Sequence, residues 1–207
     1  MRHNNKLLRN RVLSWRFATV FCLALAACPR VAGAQMKEAA ATPRDNSVIG
    51  AVLQDLLGYK GKDSTIDGAF GRSKPLPLAA RPIHAEVSID DVLYRLKEEP
   101  WQVLTPSQAR ASRQAARHLT QRNRSPTGRF AIADPNVELR TADEPVSDVF
   151  SFDRPILALL PGYSSDGGLA IVRMYIPWSI HSVGATFVLS LENGGWSVLV
   201  RQFCYYL

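Results

Sequence analysis

The sequence predicts an α+β protein in which N-terminal helices pack on a C-terminal antiparallel β-sheet, a meander. Three observations carry this expectation. Helix-start signals and apolar stripes at helical spacing are confined to residues 46–122. From residue 130 onward the chain reads as short apolar or alternating runs separated by turn residues. Apolar residues make up 46% and charged residues 21% of the 207, the balance of a chain that can fill one core.

The elements follow in order. Residues 35–45 (QMKEAAATPRD) are polar and Ala-rich and are expected as a flexible leader to a single domain over 46–207. A first helix starts at Asn46 or Ser47, either of which can accept the free N–H groups of a first turn. Ile49, Val52, Leu53 and Leu56 form its stripe, Gln54 and Asp55 face away, and Gly58 ends it. Seven glycines and prolines between Gly58 and Pro82 predict a long loop. Ile83–Val87 alternates as a short strand. Ser88 caps a second helix with Asp91 at its third position; Val92, Leu93 and Leu96 are its stripe and Pro100 ends it.

The third helix opens on Thr105, Pro106 and Gln108: a cap, a residue whose φ is already helical, and a side chain that returns the cap's hydrogen bond. It runs to about Arg122. Ala111, Ala115 and Leu119 make one face, and Arg110, Arg113, Arg117 and Gln121 the opposite one. Strands are expected at 130–133 and 137–140 around Asp134-Pro135-Asn136, then at 148–153, 156–160, 169–176, 184–191 and 196–206. Asn193-Gly194, both tolerant of positive φ, is the strongest hairpin signal. A meander covered on one face by the helices is the economical assembly.

The formal net charge of +7 lies in the first residues. Residues 1–34 hold Arg2, Lys6, Arg9, Arg11, Arg16 and Arg30 and no acid; removing these six from 25 basic residues leaves 19 against 18 acids. The remainder has no general field to draw nucleic acid, which is therefore not an expected partner. The uncharged run Phe17–Cys28 would span roughly 18 Å as a helix, short of a hydrocarbon core of roughly 30 Å. Pro29 breaks it, and Ala32-Gly33-Ala34 presents small side chains before Gln35. Residues 1–34 are thus expected to be a signal peptide cut after Ala34, with the mature chain periplasmic or secreted and without a transmembrane helix. The rival reading takes Leu25-Ala26-Ala27-Cys28 as a lipidation signal, which would tether the protein to a membrane through Cys28 as a lipid-anchored envelope assembly factor. After a cut at Ala34 one thiol remains, Cys204, so no internal disulfide is expected.

Chemistry-bearing motifs are sparse. His84, His118 and His181 are far apart and lack metal-ligand spacing, so no metal is expected and no cofactor is called for. Gly162-Tyr-Ser-Ser-Asp-Gly167 misses the G-x-S-x-G pattern by one position. A small hydrolase using the 162–181 region, with Ser164, Asp166 and His181, is the alternative to a non-enzymatic protein. Trp178 and His181 fall on the connection between two strands, where binding groups are often displayed. The Arg110, Arg113 and Arg117 face is the leading binding candidate, for phosphate or carboxylate groups of an anionic envelope component. The competing reading is a solvated face whose arginines pair with acids such as Asp143, Glu144 and Asp148.

Phe152–Pro155, the Tyr163-Ser-Ser-Asp-Gly167 turn, Ala170-Ile-Val172 and Gly195-Trp196-Ser-Val198 together resemble the tail of bacterial exported proteins with no assigned function. The resemblance covers about a quarter of the chain. It implies a C-terminal meander and brings no catalytic residues with it. The sheet is also similar to the curved sheets of cystatin-like and nuclear-transport-factor-like domains.

Overall fold

The computed structural model describes residues 39–59, 75–93, 104–141, 154–178 and 181–205, all within the unit Lys37–Leu207. The expectations for residues 1–34, for 148–153 and for the end of the second helix lie outside the described residues. In chain order the described elements are β1 (Ala39–Ala40), α1 (Pro43–Leu57), β2 (Leu76–Ala79), α2 (Ile89–Leu93), α3 (Pro106–Arg122), β3 (Pro126–Thr127), β4 (Val137–Arg140), β5 (Leu157–Ala158), β6 (Gly162–Tyr163), β7 (Leu169–Trp178), β8 (His181–Glu192) and β9 (Gly195–Tyr205).

The fold is α+β with a C-terminal antiparallel sheet. Strands β7, β8 and β9 form the meander, and β5 and β6 pair in succession along the other edge of β7. Asn193 (φ 50°) and Gly194 (φ 82°) make the tight β8–β9 turn, the left-handed pair that matches strand twist. The β8–β9 register shifts between Val188 and Leu189, a bulge that bends the outer strand.

The helices cover both faces of this sheet, and the one-sided packing expected from the sequence is corrected. Side chains alternate across a strand. Ala170, Val172, Met174, Ala185, Phe187 and Leu189 point to one side, where they meet Val48, Ile49, Val52, Leu53 and Leu56 of α1. Leu169, Ile171, Val188 and Val200 point to the other, where they meet Ala115, Ala116 and Leu119 of α3 and Val92 and Leu93 of α2. The near-continuous apolar run Leu169-Ala-Ile-Val172 is the mark of a strand buried on both sides.

α1 begins at Pro43, earlier than Asn46 or Ser47. Thr42 is its cap, and Ala39 and Ala40 pair with Pro126 and Thr127. Residues 39–45, expected as a flexible leader, therefore belong to the folded body. Asp55, expected to face away, accepts hydrogen bonds from Arg201 of β9. β2 lies inside the expected 58–82 loop and pairs in parallel with β4, so β4 is not the return strand of a hairpin. Residues 130–133 form no strand: the Phe130 N–H donates to Ala80 O and the Ala131 N–H to the Asn46 side chain. Residues 83–87 do alternate in burial, yet their ladder stops after the bond from Ile83 N to Ala158 O.

α3 is held to the sheet at two points. Gly162 admits no side chain, since a Cβ there would lie 2.0 Å from Ala115 O and 2.5 Å from Leu119 N. Asn123, the buried C-cap, donates to Leu119 O (2.8 Å) and Leu160 O (2.9 Å) and accepts from Leu160 N (2.8 Å).

Candidate functional site

Three segments meet beside the Leu169 end of β7: the N-terminus of α1, the C-terminal half of α3 and the β6–β7 turn. Asp45 sits at their junction with 0% of its surface exposed. Its Oδ2 accepts from Thr42 N (2.8 Å), Thr42 Oγ1 (2.8 Å) and Arg122 Nη2 (2.8 Å), and its Oδ1 from Arg122 Nη1 (2.7 Å) and Tyr163 Oη (2.7 Å). Arg122 also donates to Pro161 O and Ala40 O. The pair is bidentate, the strong geometry for guanidinium and carboxylate. Burial pushes the Asp45 carboxyl upward, but the bonds from Arg122 and Tyr163 and the Arg122 charge outweigh it and hold it below its ordinary value. Burial, and then the hydrogen bond to Asp45, push the Tyr163 phenol well above its own.

An open cleft of about 590 Å³ lies over this junction. One wall is α3, with Gln114, Arg117, His118 and Gln121; the other is Arg44 and the Tyr163–Gly167 segment. The Arg44 guanidinium stacks 4.2 Å from the Tyr163 ring centroid and 5.4 Å from that of Trp196, and donates to Gly167 O. A cation in the first turn of α1 opposes the positive end of the helix dipole, and this stacking is what holds it there. The Tyr163 N–H donates to His118 Nδ1 (3.1 Å), which leaves Nε2–H as the ring's other polar edge in the neutral form. Burial and the nearby Arg122 charge lower the His118 pKa, so that neutral form dominates at pH 7.

The structure brings Arg117, His118, Ser164 and Asp166 together and separates the other sequence candidates. Ser164 is buried; its hydroxyl donates to Asp166 Oδ1 (2.6 Å) and accepts from Leu169 N (2.9 Å). It builds the turn and is not poised as a nucleophile. Trp178 and His181 pair at the far end of β7 and β8, about 30 Å along the strand from Leu169; their side chains lie outside the described residues. The Ser164, Asp166 and His181 hydrolase arrangement is thereby overturned, because the sheet carries its members to opposite ends.

Arg110, Arg113 and Arg117 are all exposed on α3, and none forms an ion pair among the described residues. Arg122, the last arginine of the helix, does the opposite and turns inward to Asp45. Asp143, Glu144 and Asp148, the expected acid partners, lie outside the described residues. Cys204 is a half-buried free thiol on β9. Among the described residues no group of three potential ligands is placed to hold a metal, and no helix is long and apolar enough to cross a membrane. Sequence reasoning missed Arg44, Asp45 and Tyr163. The one signal available was Thr42-Pro43-Arg44-Asp45, which repeats the Thr105-Pro106-Ser107-Gln108 start of α3. Comparison with protein-family models, with curated proteins and with solved structures gave no match.

Proposed function

We propose that this is an exported protein, periplasmic or secreted, that acts by binding an anionic component of the cell envelope and not by catalysis. The observation that carries the reading is the Arg110, Arg113 and Arg117 file on α3. Three guanidinium groups recur about once per turn over roughly 10 Å of helix. They are exposed and have no acid partner among the described residues. A fork of donors at each position suits phosphate or carboxylate groups along a chain.

The test is retention of the folded protein on an immobilised anionic envelope polymer. Retention should fall as salt rises and should be lost in the Arg110→Ala/Arg113→Ala/Arg117→Ala variant. Equal retention of that variant would sink the reading. Export is supported by the basic, apolar and small-residue order of residues 1–34. Mass measurement of the mature N-terminus tests it: a chain beginning at Gln35 fits a soluble exported protein, a diacylated Cys28 a tethered one, and an uncut Met1 neither.

A further inference from the structure

We propose that the cleft between α3 and the β6–β7 turn is a separate site for a hydroxylated organic acid, an oxyanion with a hydroxyl group close beside it, as in a sugar acid or a polyol phosphate. The site shares only Arg117 with the arginine file, and Arg110 and Arg113 take no part in its lining.

The chemistry of the walls selects this class. No aliphatic side chain lines the cleft, and charged and hydrogen-bonding side chains make up most of its walls. The groups left unused by the fold are mostly donors. Arg117 is unpaired among the described residues. His118 keeps Nε2–H because its Nδ1 is taken by Tyr163 N. Gln114 accepts from Ser165 Oγ and N through Oε1 (3.1 and 3.4 Å), which leaves its amide NH₂. Arg44 adds a second positive charge on the opposite wall. Donors of this kind around one space favour an oxyanion.

One negatively charged acceptor stands among them. Asp166, which lines the cleft as a carboxylate, uses Oδ1 on Ser164 Oγ (2.6 Å) and Gly168 N (2.9 Å), which leaves Oδ2 as an acceptor. A bare anion would be repelled by it. A ligand that carries a hydroxyl next to its acid group satisfies both: the acid meets Arg117 and His118, and the hydroxyl donates to Asp166. The volume of about 590 Å³ falls in the range of small-molecule sites, about 300–1,000 Å³.

The test is an NMR titration of the His118 imidazole in the full exported chain. The probes are galacturonate, glycerol phosphate, propionate, serine and galactose. His118 is flanked by Arg44, Arg117, Arg122, Asp45 and Asp166, so an added oxyanion changes its proton affinity directly. Galacturonate or glycerol phosphate should shift its resonances and raise its pKa, and which of the two is tighter separates a carboxylate source from a phosphate one. Propionate, which lacks the hydroxyl, should bind about tenfold more weakly, a loss of about 1.4 kcal/mol. Arg117→Ala should weaken the hydroxy acid by about tenfold, and Asp166→Asn should erase its advantage over propionate. Arg110→Ala/Arg113→Ala should leave this titration unchanged while weakening polymer retention, so either reading can fail alone. The proposal is overturned if no acid perturbs His118. Equal binding of propionate, preference for serine or galactose, or indifference to Arg117→Ala would also overturn it.

Discussion

α1 and α3 begin with the same device. Thr42-Pro43-Arg44-Asp45 and Thr105-Pro106-Ser107-Gln108 both form a reciprocal capping box with proline in the first turn. In α3 the box is local and exposed: Gln108 returns a bond to Thr105 N (2.8 Å). In α1 the equivalent side chain, Asp45, is buried and also holds Arg122 of α3 and Tyr163 of β6. The same four-residue signal is thus a helix start in one place and the junction of three segments in the other. Burial makes the difference, since a carboxylate removed from water must be fully paired.

The largest effect should come from breaking the buried box. Asp45→Ala leaves the Arg122 guanidinium without its counter-charge and should cost about 3–5 kcal/mol, read as a drop in the denaturation midpoint. A double-mutant cycle with Arg122→Ala should show strong coupling; additive losses would make the junction no more than two separate contacts. Acid should act on the same pair. The folded-state pKa of Asp45 lies below its unfolded value, so its contribution is full above the ordinary carboxylate range and is lost as pH falls through the folded value. A stability profile against pH should therefore steepen below about pH 4 in the natural protein and flatten in Asp45→Asn. Smaller effects separate the caps. Thr42→Ala should cost about 1–2 kcal/mol and Thr105→Ala about 0.5–1 kcal/mol by chemical denaturation; equal losses would erase the contrast. The smallest is Gln108→Asp, expected within about 0.5 kcal/mol of the natural protein. A large loss there would mean that the α3 box carries tertiary contacts too.

Most of the secondary structure of the C-terminal half was legible, because Asn193-Gly194 and the long runs on either side signal themselves locally. The start of α3 was equally plain. The start of α1 carries the same Thr-Pro signal, but the polar, Ala-rich stretch before it moves the expected cap to Asn46 or Ser47. Burial on both faces was available in principle from Leu169-Ala-Ile-Val172, which is apolar at every position. The parallel pairing of β2 with β4 was not, because Pro75 and Pro77 mask a strand whose partner lies about sixty residues on. The cleft was legible only in pieces. Arg117, Ser164 and Asp166 stand out as residue types and Tyr163 lies in the same turn segment, but the Tyr163 bond to Asp45 and the approach of Arg44 come from long-range packing that leaves no periodic trace.

Arg122 also sets an order of assembly. Its guanidinium reaches back 77 residues to Asp45, and the Tyr163 hydroxyl that completes the site lies 118 residues from that same carboxylate. Loops of such length close slowly and at an entropic cost that only the finished contacts repay. A nascent polypeptide cannot fasten this clasp until Tyr163 has been made, so the helix that appears first must wait for a strand that forms only after both long helices.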